Sequence, residues 1–397
     1  MKSATPKRGR ATPKVPPTHI APTPDQALAP KRVDVLEDAP HLLESTLANA
    51  VLHNPSSMSL RLDLANFLIA QNRDRDASVV LRNALLEFPE HCLMMLKLGE
   101  ILHQYPAFQD EAIELFQRVI SSNSKMVAAY RPLAWTLAQR GRNEEAITTL
   151  RAWCTAAPQD PVAAHLLAAY AQVSVPDRAS DAFVAQTFDQ AAGHFDTHLR
   201  DVLEYRAPEA LGRHLSALLP ASAKGSLHVL DMGCGTGLSA AVLKPWAQHL
   251  TGVDLSSGML DKAGERGAYD VLVAAELTAY LDQKNLGVER FDLLFAADTL
   301  VYFGRLEAVM ANAFTALRPG GWVAFTVEHL STIANDPKSK HMLDKTGRYR
   351  HSEAYIKSVL CDVGFLEPKI ILDQVRLELD VPQIALVVAA MKPSKVT

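Results

Sequence analysis

The chain has no run of eighteen uninterrupted apolar residues, which argues against a membrane-spanning helix. Its first residues lack the short apolar core that a secretory signal requires. Cysteine is scarce. The four cysteines stand at 92, 154, 234 and 361, and none forms a Cys-x-x-Cys pair. That spacing argues against a metal site or a disulfide framework and for a reducing, cytoplasmic compartment. A basic body is missing too. The net charge is −4, but residues 1–32 carry seven Lys or Arg against one acid, so the remainder holds −10. Such a body has no general attraction for nucleic acid. What is present is 48% apolar and 21% charged residues in a chain of 397, the profile of a soluble globular protein of two or three domains.

Residues 1–38 hold seven prolines among Ala, Thr and Lys, without hydrophobic periodicity. They read as a disordered tail, either solubilising or able to touch an anionic partner through Lys7-Arg8-Gly9-Arg10. From 39 to 172 the pattern is helical and repeats. Pro55, Pro89 and Pro158 close units spaced near multiples of 34 residues. The register Ala77, Leu81, Ala84 recurs as Ala112, Phe116, Val119 and as Ala146, Leu150, Trp153. Leu98-Gly99 puts a small residue where paired helices would pack closely. This resembles the tetratricopeptide repeat: three repeats at about 56–89, 90–124 and 125–158, flanked by helices at 41–53 and 160–172. Such units bury their apolar faces only by stacking, and they offer a concave face to a protein or peptide partner.

A linker is expected at 173–182, and then strands alternate with helices to residue 392. Strands are expected at 227–231, 250–254, 269–274, 291–297, 321–328, 367–376 and 384–391. Helices are expected at 238–247, 256–265, 277–284, 304–317 and 352–363. The alternation predicts a doubly wound, mainly parallel sheet. The sharpest signal lies in its first turn, Val229-Leu-Asp-Met-Gly-Cys-Gly-Thr-Gly237, followed seventeen residues later by Asp254 at the end of Leu250-Thr-Gly-Val-Asp254. A glycine turn after one strand and an acid closing the next suit a nucleoside cofactor. The dinucleotide fingerprint Gly-x-Gly-x-x-Gly is not met, because position 238 is Leu. Asp231 would repel a pyrophosphate and favours a cationic ligand.

An acid followed by Gly-x-Gly-x-Gly, then an acid at the end of the second strand, strongly resembles the class I S-adenosylmethionine-dependent methyltransferases. The resemblance covers about 183–392. It implies a Rossmann-like seven-stranded sheet ending in an antiparallel edge hairpin. It also implies that Asp231 and the backbone of Gly233, Cys234, Gly235 and Gly237 face the methionine end of the cofactor. Asp254 would hold the ribose, or cap a helix. Glu276 would take the adenine amino group with the backbone of Leu277, or merely start a helix. Met259 would pack on the adenine or in the helix core.

Ala297 and Asp298, after the fourth strand, would lie beside the reacting methyl group, with Tyr302 one turn further. The Asn/Asp-Pro-Pro-Tyr tetrapeptide of planar-nitrogen methyltransferases is absent, as is the Pro-Cys motif of cytosine C5 enzymes. Cys234 therefore reads as a small loop residue. Glu328 and His329 are candidate general bases or mere loop polarity. Phe188-Asp-Gln-Ala-Ala-Gly-His-Phe-Asp196 resembles the helical lid of small-molecule methyltransferases. Gly347-Arg-Tyr-Arg-His-Ser352, including Arg348 and Tyr349, reads as an acceptor-binding or surface loop, with Ser352 a candidate helix cap. In overall plan the chain resembles predicted bacterial methyltransferases that join tetratricopeptide repeats to this domain. The expectation is methyl transfer from S-adenosylmethionine to an undetermined small molecule or protein, with no metal. The alternative is a cofactor-binding scaffold or regulator that works through its repeats.

Overall fold

The computed structural model describes residues 39–394 except 194, 202, 332–339 and 379–380. The Pro-rich tail at 1–38 lies outside the described residues. The chain divides into two compact units, 1–89 and 90–397. The described part of the first holds α1 (Ala39–His53), α2 (Met58–Ala70) and α3 (Asp74–Glu87). Ser57 caps α2 by accepting from the Leu60 amide. Helix α3 turns Ala77, Leu81 and Ala84 inward, all fully buried.

The second unit opens with five helices: α4 (Cys92–Leu102), α5 (Gln109–Ser122), α6 (Tyr130–Gln139), α7 (Asn143–Ala156) and α8 (Pro161–Ala171). The recurring register falls on the buried face in α5 and α7, as it does in α3. A Cβ on Gly99 would meet the Phe116 ring at 2.6 Å, which is why α4 and α5 need a small residue there. Trp153 fills the space another small residue would leave. It stacks on Tyr130 with ring centroids 6.2 Å apart, and its Nε1 donates to Asp160.

Helices α9 (Asp181–Ala191), α10 (Phe195–Asp201) and α11 (Ala207–Ser216) lead to the sheet. Its elements are β1 (Leu227–Met232), α12 (Ala240–Leu243), β2 (Ala247–Asp254), α13 (Ser257–Glu265), β3 (Val271–Ala274), α14 (Leu277–Leu281), α15 (Gln283–Leu286), β4 (Phe291–Ala296), α16 (Glu307–Ala316), β5 (Leu317–His329), β6 (His341–Leu343), β7 (Tyr349–His351), α17 (Glu353–Val363), β8 (Lys369–Glu378) and β9 (Val381–Met391). The strands run β3-β2-β1-β4-β5, all parallel. Beyond β5 the sheet forks. Trp322–Glu328 of β5 pair antiparallel with β9, which pairs with β8, while Glu328 and His329 pair with β7, which pairs with β6.

Among the described residues the sheet holds the seven expected strands, edge hairpin included, and two more. The added pair is the β6–β7 hairpin, formed where a loop was expected around 347–352. Two expected helices also shrink. The one at 238–247 is only α12, because Pro245 cannot continue it. The one at 277–284 breaks into α14 and α15 at Asp282, whose side chain accepts from the Lys284 amide. The central strands β1 and β4 and the middle of β5 are largely buried because both faces are covered. Leu230, Leu294 and Phe325 pack under Met310, Ile356 and Leu360 on one side. Val229, Leu293, Phe295 and Val387 pack under Leu211, Leu215 and Leu243 on the other.

Candidate functional site

Strand order reverses at β1, which has β2 on one side and β4 on the other. Ligands of open α/β sheets bind beyond the carboxyl ends of strands at such a point. The glycine turn leaves β1 there. Gly233 has φ +73°, and a Cβ on it would strike Thr299 at 2.3 Å. Gly235 has φ +53°, with no heavy atom within 4 Å of where its Cβ would be, so its backbone is bare toward a cavity. Asp254, at the end of β2, accepts from the amides of Gly235 (2.8 Å) and Ser256 (2.9 Å). Its burial raises its pKa against those hydrogen bonds.

Two cavities meet at this turn. The first is lined by Gly233, Gly235, Asp254, Leu255, Glu276 and Leu277, together with Asp298, Thr299 and Tyr302. Glu276 caps α14, accepting from the amides of Thr278 (3.0 Å) and Ala279 (2.7 Å). The second cavity, about 250 Å³, is lined by Cys234, Gly235, Ala297, Asp298, Tyr302, Arg348 and Arg376, with Tyr205, Thr236, Ser239 and apolar side chains. Phe188 and Phe195 line both cavities, their rings edge to face at 5.8 Å. The two aspartates that follow them anchor this segment. Asp189 accepts from Ser256 Oγ (2.5 Å) and the Gly258 amide (3.2 Å), and Asp196 accepts from Thr236 Oγ1 (2.5 Å) and Arg266.

Six predicted residues line neither cavity: Asp231, Gly237, Met259, Glu328, His329 and Tyr349. Met259 is fully buried, on the core side of α13. Tyr349 is buried too and donates to the Pro176 carbonyl at 2.7 Å; strand alternation turns it away from the side that Arg348 and Arg350 share. The same alternation separates His329 from Glu328. Asp231 lies beneath the turn, fully buried. Its Oδ2 accepts from the Tyr269 hydroxyl at 2.7 Å, and its Oδ1 has no partner. Burial pushes its pKa to about 7.

The second cavity rests on a ring of ion pairs. Arg376, on β8, donates to Asp298 (2.5 Å), Glu328 and Glu378. Arg348 donates to the same Glu328 and Glu378. Arg350 adds contacts to Glu328 (3.5 Å) and Asp344 (3.2 Å). Burial alone would raise the Glu328 pKa, but the charges of Arg348, Arg376 and Arg350 outweigh it and hold the group below the usual carboxylate range. Glu328 is thus a poor proton acceptor. Asp298 sits at φ +54°, fixed by Thr326: its amide donates to Oγ1 at 2.8 Å, and Oγ1 donates back to the carboxylate. Burial drives the Cys234 thiol well up, so it stays protonated and is no nucleophile. Sequence reading missed Arg376, Glu378 and Tyr205. The signal for the first two was two charges at alternate positions within an apolar strand.

A doubly wound sheet with a bare glycine turn at its switch point and a carboxylate closing the next strand defines a Rossmann-like, nucleoside-binding class. Residues 230–325 match the family described as a methyltransferase domain, and residues 110–170 match the tetratricopeptide repeat. Over residues 230–325 the chain is thus similar to the methyltransferase-domain family, with a tetratricopeptide-repeat match ahead of that segment.

Among curated relatives, trans-aconitate 2-methyltransferase of Paracidovorax citrulli is 39% identical over 113 residues, 28% of this chain and 41% of that protein. Malonyl-[acyl-carrier protein] O-methyltransferase of Enterobacter lignolyticus is 33% identical over 143 residues, 36% of this chain and 52% of that protein. The chain thus spans about half the length of these relatives. The solved Burkholderia thailandensis 1,6-didemethyltoxoflavin-N1-methyltransferase overlays with TM-score 0.40 at 21% identity, covering 53% of this chain and 87% of that one.

S-adenosylmethionine is the cofactor of this family. The residues present fit it on two observations. The Gly235 backbone leaves room that a Cβ would fill. The buried Asp231 carboxylate also has one oxygen without a donor, a costly state that a cationic ligand would relieve.

Proposed function

We propose that this chain methylates a carboxylate, taking the methyl group from S-adenosylmethionine. In this reading Gly233, Gly235, Asp254, Glu276 and Leu277 hold the cofactor in the first cavity, with Asp231 and Cys234 beneath its methionine end. The cofactor, when bound, supplies a methyl group already activated on a sulfonium. Asp298, Ala297 and Tyr302 then line the junction where the two ligands meet. Phe188 and Phe195 keep water out, and the ion-pair ring fixes Arg348 and Arg376 at the acceptor side. The protein's contribution is alignment rather than proton transfer.

One observation carries the carboxylate. Among the described residues, the side chains lining the second cavity include no histidine or lysine, and Asp298, their one acid, is bound to Arg376. No described lining group stands ready to take a proton, so the site suits an acceptor oxygen that is ionised at neutral pH. Two relatives are named for the acceptors trans-aconitate and malonyl-[acyl-carrier protein]. The helices at 39–172 serve as the protein-interaction module.

Transfer of labelled methyl from S-adenosylmethionine into fractionated lysate tests the reading. The label should be released by mild alkali, as an ester is. Alkali-stable label would exclude carboxylate methylation. Cofactor binding with no transfer would favour a scaffold, and failure of calorimetry to detect S-adenosylmethionine or its demethylated product would remove both readings.

A further inference from the structure

Arg348 stands at the end of the β6–β7 turn, lines the second cavity and shares Glu328 with Arg376. The hairpin that carries it is short. Strands β6 and β7 pair over three residues each, and β7 joins β5 only at Glu328 and His329. So small an edge hairpin does not fix its own place. The helix that ends the repeat segment, α8, holds the turn from outside. His165 of α8 is buried, and its Nε2 lies 2.9 Å from the Gly347 carbonyl. A carbonyl only accepts, so Nε2 carries the proton and donates. Gly347 has φ +86°, and a Cβ on it would meet Phe183, Leu166 and His165 at 3.4, 3.5 and 3.6 Å, so the turn rests directly on α8 and α9. At the other end of the turn Gln172, the cap of α8, donates to the Leu343 carbonyl at 2.8 Å. Between them Lys345 donates to Asn143 at 2.7 Å and lies over the Tyr170 ring at 5.6 Å.

His165 also touches the opposite wall. Its ring lies against Phe183 of α9 with centroids 4.0 Å apart, and Phe183 packs on Tyr302 at 6.4 Å. The Tyr302 carbonyl accepts from the Ala179 amide at 2.8 Å, just ahead of α9. Tyr302 and Arg348 both line the second cavity. One side chain of the repeats thus meets the supports of two acceptor-side residues. The cofactor side is built from other bonds: Asp254 to the Gly235 and Ser256 amides, and Glu276 to the start of α14.

We propose that His165 is a positioning residue for the methyl acceptor: by holding the Gly347 carbonyl it fixes the turn that sets Arg348 in the wall of the second cavity. The inference rests on the reading above that this cavity takes the acceptor. It makes the repeat segment a structural part of the transferase site as well as a surface for partners. Loss of the bond should weaken the hold on the acceptor and leave the cofactor untouched.

The test uses the full chain and the lysate fraction that takes up labelled methyl from S-adenosylmethionine. His165→Phe keeps a ring against Phe183 and removes the bond to Gly347. The amount of that fraction giving half-maximal transfer should rise about threefold to tenfold, the net contribution of one hydrogen bond, with the maximal rate within twofold. His165→Gln returns a donor near the place of Nε2 and should recover most of the loss. Calorimetry should give the same affinity for S-adenosylhomocysteine in all three proteins. Amide hydrogen exchange over 341–351 should quicken in His165→Phe and slow again in His165→Gln. A half-maximal amount within twofold of the unaltered chain's in His165→Phe would overturn the inference. So would an equal loss of S-adenosylhomocysteine affinity, which would mark damage to the whole fold. An unaltered chain that binds S-adenosylhomocysteine yet labels no fraction would instead remove the acceptor reading. In that case unchanged exchange over 341–351 in His165→Phe would also overturn the hold of His165 on the turn.

Discussion

The two cavities share Gly235, Asp298 and Tyr302 but are made in different ways. The first is mostly backbone and short local hydrogen bonds: a bare glycine turn, Asp254 bonded to amides, Glu276 capping the helix that follows it. The second is a ring of long side chains from β5, β7 and β8 and the loop after β4, held by opposite charges. A site made of backbone tolerates change in neighbouring side chains. A site made of paired charges fails when one partner is lost, because the other stays buried and uncompensated.

Arg376→Met should therefore have the largest effect. Glu328 is almost fully buried and would lose one of its three arginines, and Asp298 would lose its ion pair. A loss of about 3–5 kcal/mol in a denaturant titration is expected. A change below about 1 kcal/mol would show that the ring is not a structural unit and would break the contrast between the cavities.

Acid should then separate the two. His351, fully buried on β7, has Nδ1 unpartnered and Nε2 at 3.1 Å from the Gly304 carbonyl. Burial, with His341 beside it, lowers its pKa to about 4. The folded state thus holds a neutral ring while the unfolded chain takes up a proton near 6.5. The stability tied to this group is complete above 6.5 and falls away as the pH drops toward 4, by about 3 kcal/mol at the most. Denaturant midpoints at pH 7 and 4.5, in the unaltered chain and in His351→Phe, measure it. Equal slopes with pH in the two proteins would dismiss His351 as the cause.

How much of each cavity was legible follows from how it is made. The first lies largely in a short stretch, Asp231 to Leu277, where spacing points to the glycine turn and Asp254, and the family resemblance adds Glu276 and Leu277. The repeat register was legible for the same reason: Ala112, Phe116 and Val119 lie on one face by helical period. Asp298, Glu328 and Arg348 were expected at the acceptor side, but the ring that Arg376 closes was not legible, because its members meet only once β5, β7 and β8 are placed beside one another. The fork of the sheet at Glu328 brings β7 and β9 to the same strand, and no local pattern announces it. Strand alternation also separates neighbours that a loop reading joins, as with Arg348 and Tyr349 or Glu328 and His329.

The first cavity should titrate on its own terms. The Asp231 pKa of about 7 means that the free protein holds this acid partly neutral near neutral pH. A cationic ligand prefers the ionised form, so binding releases a proton. Affinity for S-adenosylmethionine should rise with pH, by up to about tenfold per unit below 7, and flatten above it. In the absence of ligand the sign is opposite: the raised pKa contributes stability that is complete below about 3.8 and lost as pH rises through 7. Calorimetry between pH 6 and 8 measures the first effect, and Asp231→Asn should abolish it. A slope that survives in that variant would assign the titration to another group.

The smallest expected effect tests the point where the local reading is weakest. Glu276 lines the first cavity, yet both its oxygens already accept from the amides that start α14. Glu276→Ala removes the cap and should cost about 1 kcal/mol of stability whatever the ligand does. Glu276→Gln keeps one acceptor oxygen for the cap, so the denaturant midpoint should move by less than about 0.5 kcal/mol. If the carboxylate also accepts from an adenine amino group, the amide variant gives up that second use, and S-adenosylhomocysteine should bind it about threefold to fivefold more weakly. A Gln variant that keeps both its midpoint and its affinity would make Glu276 a helix cap alone, and recognition of the base would pass to the backbone at Leu277.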